Sequence, residues 1–342
     1  MNGPSILFVT DAGPQVGGGH VMRSLTLAKA LAERGAATAF LEAPGVGAIL
    51  DAFAPDMPRL NAVAAAGYDA MVFDHYGMAA EAQRALAQGR PALVIDDLAD
   101  RPLYADLVVD AGPQRAAADY DGLIPAGAQL LLGPTYAPVR PEFAVLRDRT
   151  LGQRSGDVRR ILVSLGLTDL DGITGRVLDR IRPRIGDIAL DIVMGSGAPS
   201  RAGLERLARR DPRLTIHVDT PDMAAITAAA DIAVGAGGSS AWERCTLALP
   251  SLMLVLADNQ RPAAMALAEA GAALILDAAA PEFDREFDRA FLQLLNNGLV
   301  RARLAAKSAE LCDGLGAARV AKAFLDILAE RLQLRRNLDN SP

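Results

Sequence analysis

The feature that most constrains this chain is an alternation, carried through twice, of short apolar or β-branched runs with longer Ala- and Leu-rich stretches. Ser5-Ile-Leu-Phe-Val-Thr10 reads as a buried strand, and His20 to Arg34 as a helix that Gly35 stops. Further strands are expected at Ala37–Leu41, Ala70–Asp74, Ala92–Asp96, Leu107–Asp110 and Gln129–Leu132, with a helix over Glu81–Gln88. Continuous apolar strands joined by helices indicate a parallel sheet covered on both faces, hence a doubly wound α/β domain.

The pattern then breaks. Pro138, Pro141 and the polar run from Arg147 to Gly156 carry turn residues and charge but no apolar period, as an interdomain linker does. A second α/β set follows, with strands expected at Arg160–Leu165, Ile188–Met194, Leu214–Val218, Ile232–Val234, Leu252–Leu256 and Ala273–Leu276, and helix from Glu282 to about Leu334. The expected organisation is a Rossmann-like domain over 1–146, a linker over 147–158, a second Rossmann-like domain over 159–334 and a polar tail over 335–342. Two such halves suggest an enzyme with an interdomain cleft, because ligands of open α/β sheets sit outside the carboxyl ends of the strands.

Composition narrows the class. With 51% apolar residues but only 15 aromatics, the core must be built from Ala, Val, Leu and Ile, and a disordered chain is excluded. A formal charge of −6 gives no basic excess for nucleic acid, so no nucleic-acid partner is expected. Cys245 and Cys312 form no CxxC pair, which speaks against a zinc ribbon or a disulfide framework and suits a reducing compartment. No apolar stretch is long enough to span a bilayer, and the first five residues lack the basic region of a signal peptide. A cytoplasmic protein without stable membrane association is expected.

Several motifs carry chemistry. Gly17-Gly18-Gly19-His20-Val-Met-Arg23 follows the first strand and opens the first helix. Gly18 and Gly19 allow a ligand close to the backbone, and the helix start favours a neutral imidazole at His20, which can serve as a general base. The third glycine of a dinucleotide fingerprint is missing. Gly235-Ala-Gly237-Gly238-Ser239-Ser240-Ala-Trp-Glu243 lies between a strand and a helix. Its glycines and hydroxyls suit a diphosphate, and Glu243 suits ribose hydroxyls, although Ser240 with Glu243 also spells a capping box. Asn259-Gln260, at a strand exit, suits hydrogen bonding to a sugar or nucleotide. Ser164-Leu-Gly166-Leu-Thr-Asp169 is a turn that suits a base or phosphate. Asp74, His75, Asp96 and Asp97 can be drawn as a metal site, but no metal-ligand spacing supports one, and neither a metal nor a cofactor is expected. His217, within an apolar strand run, reads as structural. No GxSxG or GxxxxGK[ST] is present.

Taken in order, GGGHxxR, FDHYG, VIDD, LLGPTYAPVRPEF, VSLGLTD, GAGGSSAWE and ADNQ resemble the UDP-sugar hydrolases of pseudaminic acid biosynthesis (PseG-type) and, more distantly, the GT-B transferase that adds GlcNAc in peptidoglycan synthesis. The likeness runs from about residue 5 to 280. It implies a GT-B fold and hydrolysis of UDP-2,4-diacetamido-2,4,6-trideoxy-β-L-altropyranose to UDP and free sugar, which feeds nonulosonic acid synthesis for flagellin or surface glycans. It places the catalytic histidine on His20, with Arg23 in the same motif, and nucleotide contacts on Gly237, Gly238, Ser239, Ser240 and Glu243. The amide motif falls on Asn259 and Gln260, and the sugar-side tyrosine on Tyr76. Gly166 matches the first glycine of the family's SxGGxD, but Leu167 replaces the second, which puts the backbone path beside the nucleotide in question.

The expected reaction is attack of a water activated by His20 on the anomeric carbon of a UDP-sugar. The nearest rival is an inverting GT-B transferase, in which an acceptor hydroxyl takes the place of water. Against a membrane-bound acceptor, the candidate surface loop Ala43–Pro58 carries Ile49, Leu50 and Phe53 but no Lys or Arg. A non-catalytic nucleotide-sugar-binding protein is the reading from another class.

Overall fold

A computed structural model of the chain describes residues 3–13, 16–61, 67–152, 154 and 156–339, with backbone only beyond 331. Residues 153 and 155 of the expected linker lie outside the described residues. So do residues 340–342 and every side chain of the expected tail, including Arg335 and Arg336. The chain divides into two compact units: Met1–Gly13 with His20–Pro138 and Leu315–Pro342, and Pro14–Gly19 with Val139–Gly314.

The first unit is built on β1 (Ser5–Thr10), α1 (Gly19–Ala32), β2 (Ala37–Leu41), α2 (Val46–Phe53), β3 (Arg59–Leu60), β4 (Ala70–Asp74), α3 (Ala80–Ala87), β5 (Ala92–Ile95), β6 (Leu107–Asp110) and β7 (Gln129–Leu132). The strands form one parallel sheet in the order β3-β2-β1-β4-β5-β6-β7. Side chains alternate across it. Ile6 and Phe8 enter the core cluster that α1 covers, and Leu7 and Val9 enter the cluster on the other face. Each such fully buried side chain stabilises the fold by about 1.5–3 kcal/mol. The strand order reverses between β1 and β4, so the crevice beyond their carboxyl ends is where a doubly wound sheet gathers ligands.

The second unit contains α4 (Pro141–Thr150), β8 (Arg160–Ser164), α5 (Ile173–Ile181), β9 (Ala189–Met194), α6 (Arg201–Ala208), β10 (Leu214–Val218), α7 (Met223–Ala229), β11 (Ile232–Ala236), α8 (Ser240–Thr246), β12 (Ser251–Val255), α9 (Arg261–Glu269), β13 (Leu274–Asp277), α10 (Phe283–Asn296) and α11 (Gly298–Leu311). Its parallel sheet runs β10-β9-β8-β11-β12-β13, with the reversal between β8 and β11.

Two expectations are corrected. The last helix, α12 (Gly316–Asp339), belongs to the first unit, not to a domain ending at 334. It places Val320, Ala321, Phe324 and Leu328 in the same core as Phe8 and Val21. Helical spacing announces a buried face but not which core receives it. The stretch 147–158 is not a free linker either, because α4 continues through Thr150. Arg147 donates to the carbonyls of Thr246 (2.6 Å), Ala309 (2.7 Å) and Cys312 (2.9 Å), and buried Arg154 donates to those of Ala230 and Leu247. The loop 43–58 contains α2, whose Leu50 is fully buried while Ile49 and Phe53 pack against the first unit's core. Among the described residues, no helix is long and apolar enough to cross a membrane.

Candidate functional site

In the first unit, register and helical period converge on one carboxylate. Thr10 at the end of β1 pairs with Asp74 at the end of β4. The chain leaves β1 and starts α1, on which His20, Arg23 and Ser24 are spaced by three and four residues and therefore share a face. All three reach Asp74, which is fully buried. His20 Nδ1 lies 2.6 Å from Asp74 Oδ1; Arg23 donates through Nε to Oδ2 and through Nη2 to Oδ1, each at 2.7 Å; Ser24 Oγ donates to Oδ2 at 3.1 Å. Arg23 Nη1 continues to Asp97 Oδ2 at 2.6 Å, and the Tyr76 hydroxyl donates to that same oxygen at 2.5 Å. The rings of His20 and Tyr76 pack edge to face, with centroids 4.3 Å apart.

The electrostatics follow from this wiring. Burial alone would raise the Asp74 carboxyl, but the charges of Arg23 and His20 and their hydrogen bonds outweigh it and hold Asp74 well below the ordinary carboxylate range. Asp97 is lowered by the same balance, burial opposing and Arg23 and Tyr76 prevailing. Burial lowers Arg23, yet Asp74 and Asp97 together hold it well above its ordinary value. The carboxylate and the Asp74 carbonyl, 3.1 Å from the same nitrogen, only accept, so His20 Nδ1 carries a proton, and in the neutral ring the lone pair is on Nε2. A histidine in one tautomer, braced by a buried aspartate, is the geometry of a general base.

Asp74 was drawn from the sequence only as a metal ligand, and its part in holding His20 was missed. The available signal was its place at the end of the strand beside the one that leads to His20. The other carboxylates of that drawing are also occupied by arginines: Asp97 by Arg23, and Asp96 by Arg101 at 2.9 Å. Arg23 itself differs from the ligand-contacting role expected of it, since its guanidinium is spent on two carboxylates and it is buried.

In the second unit, the glycine-serine turn follows β11 at its reversal point. Gly237 donates its N–H to Leu254 O at 3.0 Å, prolonging the sheet, while Gly238, Ser239 and Ser240 are half-buried. Ser239 caps α8 without a side-chain bond, so the capping box does not form. Glu243 instead accepts from Arg140 Nε at 2.7 Å. Beneath the turn runs Arg244, almost wholly buried, donating to Ala236 O at 2.7 Å and to Ser240 Oγ at 3.1 Å. A Cβ at position 235 would lie 2.6 Å from its Cζ, which is why that position holds glycine. Burial, opposed by Cys245 and Glu243, lowers the Arg244 guanidinium to about 10. Neither arginine was singled out in the sequence.

Gln260 brings the amide motif to this turn. Its Oε1 accepts from Leu256 N at 3.1 Å, and its Cβ and Oε1 would lie 3.4 Å from a Cβ on Gly237. Asn259 sits beside it, half-buried, in a single 3₁₀ turn. Gly166, at the carboxyl end of β8, has φ +101°. Next to it, Leu167 O accepts from Gly195 N at 3.1 Å. Buried Asp169 caps Thr174 N (2.9 Å) and Ser200 N (3.1 Å), so its carboxylate is structural. His217 is likewise tied to Asp191 at 2.8 Å. The expected site residues thus divide between the units: His20, Arg23 and Tyr76 in the first, and Gly18, Gly19, Gly166, Gly237, Gly238, Ser239, Ser240, Glu243, Asn259 and Gln260 in the second.

Two doubly wound parallel units of seven and six strands constitute the two-Rossmann-domain GT-B fold. Among solved structures, the MurG of Acinetobacter baumannii matches with a TM-score of 0.63 and 18% identity, covering 94% of this chain and 99% of its own. In sequence, the chain is similar to the spore coat polysaccharide biosynthesis protein SpsG of Bacillus subtilis, with 27% identity over 94% of this chain and 98% of that one. It is also similar to the UDP-2,4-diacetamido-2,4,6-trideoxy-beta-L-altropyranose hydrolase of Campylobacter jejuni, with 23% identity over 78% of this chain and 97% of the relative. No protein-family model matches the chain.

Proposed function

We propose that this protein hydrolyses a UDP-sugar of the 2,4-diacetamido-2,4,6-trideoxyhexose class, releasing UDP and the free sugar for nonulosonic acid and surface-glycan synthesis. The observation that carries the reading is the His20–Asp74 pair: a buried, ionised carboxylate 2.6 Å from Nδ1 leaves Nε2 as a proton acceptor. Similarity to the Campylobacter hydrolase supports the substrate class.

In this mechanism the second unit holds UDP. Its diphosphate meets the Gly237–Ser240 turn, where the buried Arg244 supplies positive charge beneath the backbone. Gln260 and Asn259 serve the nucleotide. His20 Nε2 takes a proton from water as the water oxygen bonds to the anomeric carbon. The bond from that carbon to the phosphate oxygen breaks, and its electron pair leaves with UDP. Asp74 steadies the imidazolium, which afterwards returns its proton to solvent. UDP is a good leaving group, so no strong general acid is needed, and the fixed donors of the turn stabilise its charge without a metal.

The test is a proton NMR time course of the purified chain with the UDP-2,4-diacetamido-trideoxyhexose and no acceptor. Free sugar and UDP should appear together. A sugar nucleotide that binds but stays intact until an acceptor is added would make the chain a transferase. One that binds and is never consumed, with or without acceptor, would make it a binding protein.

A further inference from the structure

Tyr76 is held in one hydrogen-bonding state. Its Oη lies 2.5 Å from Asp97 Oδ2, and Arg23 Nη1 lies 2.6 Å from the same oxygen. A phenol has one proton to give and lone pairs to receive with, whereas an ionised carboxylate only accepts. The Tyr76 proton is therefore committed to Asp97, at the short distance expected of an O–H donating to a carboxylate. What remains on Tyr76 is an acceptor.

We propose that Asp97 and Arg23 are positioning residues that lock the Tyr76 hydroxyl as an acceptor beside His20, so that the site selects a sugar presenting a hydrogen-bond donor, a hydroxyl or an amide N–H, at the position that meets it. The inference rests on the reading that the sugar of a nucleotide sugar approaches His20. One guanidinium bridges the carboxylate that orients His20 and the carboxylate that pins Tyr76, so the base and the acceptor are fixed with respect to each other. The edge-to-face packing of the two rings, 4.3 Å between centroids, ties them a second time. Burial and the Asp97 charge hold the phenol far above its ordinary value, which leaves Tyr76 neither a base nor a phenolate. A site built to bond a particular group rejects an analogue without it far more strongly than an apolar pocket rejects a missing methylene.

Two measurements on the full chain test this. Without ligand, proton NMR should show a hydrogen-bonded hydroxyl resonance in the wild type that is absent from both Tyr76→Phe and Asp97→Asn. With ligand, calorimetric affinity and kcat/KM are measured for the UDP-2,4-diacetamido-trideoxyhexose and for analogues that each lack one donor: 3-deoxy-3-fluoro, N2-methyl and N4-methyl. One analogue should lose about tenfold in the wild type, and that loss should shrink to within about twofold in Tyr76→Phe. Arg23→Lys keeps the charge but not the fork, and should blunt the same discrimination while a circular dichroism melt shows the variant folded. A wild-type resonance that survives Asp97→Asn, or a discrimination unchanged in Tyr76→Phe, overturns the proposal. If analogues are discriminated through Tyr76 yet none is hydrolysed, the hydrolase reading fails and this one stands.

Discussion

Asp74→Asn separates two jobs of one buried carboxylate. In the wild type, Asp74 receives four side-chain contacts: two from Arg23, one from Ser24 and one from His20. Asparagine keeps one accepting oxygen and turns an N–H₂ toward groups that are themselves donors. Removing one partner of a buried ion pair costs about 3–5 kcal/mol. Asp97 still faces the Arg23 guanidinium at 2.6 Å, so the cost belongs at the lower end, about 3 kcal/mol. At about 2–4 °C per kcal/mol for a unit of this size, the melting temperature should fall by about 6–12 °C. Turnover should fall further than stability explains, because His20 keeps only the carbonyl of residue 74 at 3.1 Å and loses the carboxylate charge that steadies its imidazolium; a correctly held general base contributes about 10²–10⁴-fold. The assay is UDP release under saturating substrate below the variant's melting temperature, with a circular dichroism melt as the check on folding. A variant keeping more than about a tenth of wild-type turnover would refute the role of Asp74 in positioning the base.

Other consequences follow from the same structure. Asp74 and Asp97 sit below their ordinary values in the fold, so the stability they contribute is complete above the unfolded carboxylate value, about 4, and is lost as pH falls through their lower folded values. The stability difference between wild type and Asp74→Asn, measured by urea titration, should therefore be constant from about pH 5 to 8 and shrink at more acid pH. Burial, with Cys312 alongside, pushes the Cys245 thiol up to about 12, and burial raises Cys312 as well. A thiol reagent at about pH 8 should label neither cysteine in the native chain and both after denaturation. Gly235→Ala would set a Cβ 2.6 Å from Arg244 Cζ and Nη1. It should cost about 1–3 kcal/mol by thermal melt, and displacing Arg244 should weaken UDP affinity by about tenfold.

Most strands were legible because burial on both faces demands continuous apolar runs, and turn residues bound them; Ser5–Thr10, Ala37–Leu41, Ala70–Asp74 and Leu214–Val218 have the expected limits. α4 was not legible, because a single arginine, Arg147, anchors it through three carbonyls, and its buried residues, Phe143 and Thr150, spell no apolar period. α12 was legible as a helix but not as part of the first unit. His20 was legible from its glycine-rich turn. Its partner Asp74 was not, because 54 residues separate them and only the β1–β4 register brings the two together. Arg244 was hidden by the reverse effect: an arginine one turn into a helix ordinarily reads as solvent-facing, and here a glycine at position 235 makes room for it underneath.

The central claim, that His20 directs water to the anomeric carbon of a UDP-sugar, is tested most directly by acceptor-free hydrolysis in water enriched in oxygen-18, with the products weighed by mass spectrometry. Attack at the anomeric carbon leaves UDP unlabelled, and the account predicts unlabelled UDP formed at a rate that His20→Ala lowers by at least about a hundredfold. UDP carrying one heavy oxygen would mean that water attacks phosphorus, and a His20→Ala rate close to wild type would mean that the base lies elsewhere; either result contradicts the account.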